Sequence, residues 1–102
     1  MSYLEIKFND AMDDIAKYSI SHGFGIRFKQ MIKQYGAVDT AKRLLATQEI
    51  QAGLMRLWEL ESLDKSMEAL VDQERFHYLF SQEEIAEAHR RLYELGYFKE
   101  NP

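Results

Sequence analysis

Leu54-Met55-Arg56-Leu57-Trp58-Glu59-Leu60-Glu61-Ser62-Leu63-Asp64-Lys65-Ser66-Met67-Glu68-Ala69-Leu70-Val71 is the longest run of this chain in which apolar residues keep a helical beat. Leu54, Leu57 and Trp58 share one helical face, and Leu63, Met67, Leu70 and Val71 share another. Glu61-Ser62 followed by Asp64 reads as a turn with Asp64 as N-cap. The pattern predicts two short helices meeting at a corner, with the only Trp of the chain on the inside of the bend. A Trp buries a large apolar area. Trp58 is therefore expected at the centre of the core.

The flanks continue the helical theme. Ser2 with Glu5 forms a capping-box pattern, and Leu4, Phe8, Ala11, Ile15 and Tyr18 step by fours and threes. These predict a first helix from Tyr3 to Ser21, ended by His22-Gly23. Phe24-Gly25 opens a second helix to Tyr35, with Phe28, Met31, Ile32 and Tyr35 inward, and Gly36 stops it. A third helix over Val38–Ala46 buries Val38, Ala41, Leu44 and Leu45. Thr47 caps a fourth, reaching Leu60, and Asp64 caps a fifth, reaching Val71. Residues 72–80 read as an irregular helical turn that buries Phe76, Leu79 and Phe80. Ser81 and Glu84 form a second capping box at the head of a last helix, Gln82–Leu95, whose inward residues are Ile85, Ala88, Leu92 and Leu95. Gly96 closes it, and Tyr97 and Phe98 fold back.

With 102 residues, the chain suits one domain. The fold class expected is all-α: a compact orthogonal array of five to six short helices, with the long first and last helices clasping the Trp58 corner. Residues 1–98 form the domain and 99–102 a frayed tail. Phe28, Leu45, Leu57, Trp58, Leu70 and Leu92 are the expected structural core.

Phe28-Lys29-Gln30-Met31, Gly36-Ala37-Val38-Asp39-Thr40-Ala41-Lys42-Arg43-Leu44-Leu45, Gly53 followed by Arg56-Leu57-Trp58-Glu59-Leu60, Leu63-Asp64 with Ser66 and Glu68-Ala69-Leu70-Val71, Leu79-Phe80 before Glu83-Glu84, and Arg91-Leu92 before Gly96-Tyr97 together form a pattern. Over residues 8–98 it resembles a family of small, stand-alone, all-helical bacterial proteins. The string around Trp58 is its specific part. The resemblance implies a single helical bacterial domain and brings no activity, cofactor or catalytic residue with it.

Composition narrows the chemistry. There is no Cys, which excludes disulfides, zinc-thiolate sites and Cys nucleophiles. Met1-Ser2-Tyr3-Leu4-Glu5 lacks the basic-then-apolar order of a signal peptide, and no apolar run nears the length of a membrane span. The expectation is a cytoplasmic protein with no membrane partner. Of the histidines His22, His77 and His89, only His77 has a metal-like spacing, Glu74-x-x-His77, and no second copy completes it. No serine sits in a nucleophile elbow. Asp13-Asp14 and Glu83-Glu84 are adjacent pairs that diverge on a helix. Glu59 is expected in a structural ion pair with Arg56, Arg27 or Arg91. No catalytic, metal-binding or cofactor-binding residue is assigned, and an enzyme is not expected.

Two readings remain. The net charge is −4, yet residues 22–58 carry six bases against two acids. Ala41 to Leu57 has a helix-turn-helix cadence in which Lys42 and Arg43 would meet phosphates while Gln48, Gln51 and Arg56 would read bases. Against a nucleic-acid regulator stand the acidic total, Gly53 inside the supposed recognition helix, and a turn without its usual glycine. The leading expectation is a protein–protein interaction module, with a homodimer as one form of it. Met12 and Met55, off the buried stripes, together with Tyr93 and Phe98, are the candidate interaction surface.

Overall fold

Ser2 and Ser81 start the two long helices as their capping boxes require. In the computed structural model, which describes residues 1–47 and 52–98, helix α1 spans Tyr3–Ser21 and α6 spans Gln82–Glu94. Each serine side chain accepts from the backbone N–H three residues on, and each glutamate reaches back. Between them lie α2 (Ile26–Tyr35), α3 (Ala37–Leu45), α4 (Ala52–Glu59), a 3-10 turn (Leu63–Lys65), α5 (Met67–Asp72) and a 3-10 helix (Glu74–Leu79). The all-α class holds, and the irregular turn at 72–80 is this second 3-10 segment.

Three helices end the same way. After α1, Gly23 takes a left-handed conformation and the N–H of Phe24 reaches the Ser19 carbonyl. After α6, Gly96 does so and Tyr97 N–H reaches Leu92 O. After α4 the left-handed residue is Glu61, φ 55°, with Ser62 N–H on Leu57 O at 2.8 Å. All three are Schellman endings. Only the third places a side-chain-bearing residue where glycine is favoured.

The centre of the fold is α5. Every residue from Met67 to Val71 is buried, and α5 packs on α6, α1 and both 3-10 segments. Its N-cap is Ser66, whose Oγ accepts from Ala69 N–H and donates to Leu63 O, not the expected Asp64, which is exposed in the 3-10 turn. The main core joins Phe8, Met12 and Ile15 of α1 to Ala41 and Leu45 of α3, Leu70 and Val71 of α5, and Phe76 and Phe80. Phe8 meets Phe76 and Phe80 edge-on, with centroids 5.1 and 5.2 Å apart. A smaller cluster gathers Leu54, Leu57, Leu63, Ala69 and Leu92.

The aromatic centre is therefore this Phe trio, and the placing of Trp58 at the core is corrected. Trp58 is 46% exposed. Helix α4 lies at the rim, held mainly to the 3-10 turn that follows it. A rim helix buries only a narrow stripe, here Leu54 and Leu57, and Trp58 falls on its edge. Met12 is corrected in the opposite sense. It is fully buried, because α1 turns Phe8, Met12, Ile15, Ala16 and Ser19 inward and leaves Leu4, Ala11 and Tyr18 at the margin. Leu45, Leu57, Leu70 and Leu92 are core as expected. Phe28 is only partly buried, since α2 lies along the surface and buries none of its residues fully. Residues 99–102, the expected tail, lie outside the described residues.

Candidate functional site

While α4 packs Leu54 and Leu57 on Ala69 and Leu92, a half-open cleft of about 650 Å³ lies between it and α1, α2 and α5. Phe24, Phe28 and Met31 form one wall, Leu54, Met55 and Leu57 the other, with Ile15 and Met67 beneath. The local sequence explains the two walls. Gly25, left-handed at φ 89°, turns the chain into α2 so close to α1 that a Cβ there would lie 2.6 Å from Ser19 Cβ. That brings Phe24 and Phe28 over Ser19 and Ile15. Facing them, Leu54 and Leu57 point into the body while Met55 stays half-buried at the opening.

The rim is basic. Arg27, Arg56 and Lys65 line it, with Glu59 as the one exposed acid among the lining residues. Arg56 lies over the Phe24 ring at 4.9 Å and Lys65 lies 5.9 Å from the Tyr18 ring. None of these three cations makes an ion pair among the described residues. Glu59 has no such partner there either, so its expected pairing with Arg56, Arg27 or Arg91 is not the one formed.

Arg91 is instead the hub of the interior. It is fully buried: Nε donates to Glu87 at 2.6 Å, Nη1 to Glu68 at 3.2 Å, and Nη2 to the carbonyls of Thr47 (2.7 Å) and Leu44 (3.2 Å). The guanidinium thus satisfies carbonyls at the C-terminal end of α3, where the helix dipole favours a cation. Burial pushes the Glu68 carboxyl above the ordinary range, against the pull of Arg91. The Arg90 guanidinium, with Arg91 behind it, holds Glu87 down at about 2. Glu68 and Ser66 reach the cleft floor, but both are engaged: Glu68 by Arg91, Ser66 by Leu63 O and Ala69 N–H. The floor is a rigid base for apolar walls, with its polar atoms turned to structure.

A second, more open depression of about 640 Å³ flanks the other side of α4, where Trp58, Leu95 and Tyr97 meet Glu61 and Asp64. Burial, then Asp64 and Asp72, raise the Tyr97 phenol.

The cleft collects only part of the residues singled out from sequence. Met55 and Arg56 line it. Met12 is beneath the surface; Tyr93 is exposed on α6, away from the cleft lining; Phe98 is half-buried, stacked on His89 at 4.3 Å. Of the proposed nucleic-acid contacts, Lys42 Nζ donates to Glu84 at 2.8 Å and Arg43 to Asp39 at 3.0 Å, with its guanidinium 3.8 Å over Tyr35. Although burial works against it, Lys42 with the Ser81 N–H holds Glu84 below the usual carboxylate range. Gln48 and Gln51 lie outside the described residues. Helix α3 packs on α1, α2 and α6 rather than as a unit with α4. His77 Nε2 donates to the Asp72 carbonyl, and His89 Nδ1 lies 3.0 Å from Asp72 Oδ1. No group of three or more His, Cys, Asp or Glu among the described residues is placed to hold a metal ion, and no helix among them is long and apolar enough to cross a membrane.

Comparison with known proteins returns no matching family, no matching curated protein and no matching solved structure. The functional reading rests on the geometry of this chain alone.

Proposed function

We propose that this protein is a cytoplasmic interaction module that seats a helical segment of a protein partner in the cleft between α2 and α4. One observation carries the reading: beyond the contact of Phe24 with the Leu54–Leu57 cluster, the half-buried Phe28 and Met31 of α2 and Met55 of α4 line one half-open apolar cleft. An amphipathic helix laid in such a groove satisfies both walls at once. Met31, Met55 and Met67 give the walls flexible, polarisable surface that adapts to what enters. Arg27, Arg56 and Lys65 on the rim favour an occupant with carboxylates beside its apolar stripe.

The nucleic-acid reading has fewer free cations to work with. Lys42 and Arg43 are each tied to a carboxylate of the same chain, and Arg56 lies on an aromatic ring at the cleft mouth. Phosphate neutralisation supplies most of DNA affinity, and the chain as a whole is acidic. The test is capture of tagged protein from its native cells, with and without nuclease, beside Met55→Glu, which places a charge in the cleft wall. Partners that survive nuclease and vanish with Met55→Glu support the cleft. Loss of everything on nuclease treatment alone assigns the protein to nucleic acid.

A further inference from the structure

The exposed face of α1 carries what the cleft lacks. Met1, Tyr3 and Ile6 are 83, 74 and 45% exposed. Tyr3 and Ile6 lie on the helix face opposite Phe8, Met12 and Ile15. Continuing along that face, Asp10, Asp13 and Asp14, with Lys17 one turn beyond, are exposed and make no ion pair among the described residues. This is an apolar tip followed by three carboxylates and a lysine; the cleft is an apolar slot with Arg27, Arg56 and Lys65 on its rim, Arg56 lying against the Phe24 ring.

The two cannot meet within one chain. Tyr3 lies twelve residues before Ile15, which floors the cleft, and a straight helix puts them about 18 Å apart. A second copy has no such limit. We propose that the occupant of the cleft is the exposed face of α1 from a second copy of this chain. Two chains pair reciprocally, each inserting Tyr3 and Ile6 between the other's α2 and α4, with Asp10, Asp13 and Asp14 against Arg27, Arg56 and Lys65. This inference rests on the reading of the cleft as a helix-docking site. Related by one two-fold axis, the two contacts make an isologous interface that closes as a dimer; made in one direction only, they would run head to tail into longer assemblies. A standard interface takes about 800 Å² from each partner, roughly one-eighth of the 6717 Å² that a protomer exposes. Two α1-in-cleft contacts share that area.

Charge exchange tests the pairing. Sedimentation equilibrium of the full chain, from about 1 to 500 µM, is expected to give a dimer. Tyr3→Ser/Ile6→Ser should weaken it on the order of 30-fold or more, as loss of central apolar anchors does. Arg27→Glu/Arg56→Glu and Asp10→Lys/Asp13→Lys should each be monomeric when alone, since like charges then face each other. Mixed together, they should form a heterodimer. All four positions are exposed, so far-UV circular dichroism should be unchanged in each variant. A wild-type monomer throughout the range, or a dimer indifferent to these substitutions, overturns the proposal, as does a mixture that stays monomeric. A monomer that still captures a nuclease-resistant partner through Met55 would leave the cleft reading standing and remove the second copy as its occupant.

Discussion

Replacing Arg91 with Met removes the hub but keeps most of the side-chain volume. Five acceptors lose this donor: the Glu68 carboxylate, the Glu87 carboxylate, and the Leu44, Leu45 and Thr47 carbonyls. Glu68, 3% exposed, is then left buried without its cation. Breaking a buried pair from one side costs about 3–5 kcal/mol. Total stability for a domain of this kind is about 5–15 kcal/mol, so Arg91→Met should remove a large fraction of it. The melting temperature should fall by roughly 15–30 °C. Urea unfolding followed at 222 nm measures the change. A double variant, Arg91→Met/Glu68→Met, should recover part of the loss relative to Arg91→Met alone. It removes the orphaned carboxyl together with its desolvation cost. If Arg91→Met costs less than about 1 kcal/mol at an unchanged denaturant slope, Arg91 is not the interior anchor described here.

Trp58→Ala should cost under about 1 kcal/mol, not the 3–5 of a core aromatic; Trp58 fluorescence should be red-shifted and readily quenched by iodide. Glu61→Gly should stabilise by about 1 kcal/mol in thermal melts, because the left-handed conformation at φ 55° suits glycine; destabilisation would mean the Glu61 side chain makes a contact that outweighs its backbone strain. Glu87, held at about 2 against an ordinary 4.5, contributes stability that is complete above pH 4.5 and lost as the pH falls toward 2. Glu87→Gln should flatten acid unfolding in that window, and an unchanged acid limb would show that its ion pairs do not persist in solution. Glu68, raised by burial, has the opposite sign: its contribution is full below 4.5 and declines as pH rises through its folded value. Glu68→Gln should therefore reduce the pH dependence on that side.

Local signals were legible from the chain and depth was not. Capping boxes at Ser2 and Ser81, and left-handed glycines at 23 and 96, act within a few residues, and they place α1 and α6 almost to the residue. Burial is decided by what packs from elsewhere. Met12 and Trp58 differ in depth because α1 lies across the core and α4 lies at its rim, a difference of packing that helical periodicity does not encode. The i,i+4 spacing of Glu87 and Arg91 is visible in sequence; the Glu68 carboxylate and the α3 carbonyls that complete the hub are 23 to 47 residues away. Ser66 displaced Asp64 as cap because the 3-10 turn takes up Leu63–Lys65 before α5 begins. The cleft left no direct signature. Its walls come from helices whose periodicity alone reads as core, and how far apart α2 and α4 come to lie is a matter of packing.

Met55 is the residue from which the occupant of that gap can be read most directly. A photo-crosslinking amino acid placed at position 55, with Tyr93 as the control position, can be activated in native cells and the adduct sequenced by mass spectrometry. The helix-docking account predicts a crosslink to a helical protein segment, foremost Tyr3–Asp14 of a second copy, that is absent from the Tyr93 control. Adducts to nucleic acid, or identical adducts from both positions, would contradict it.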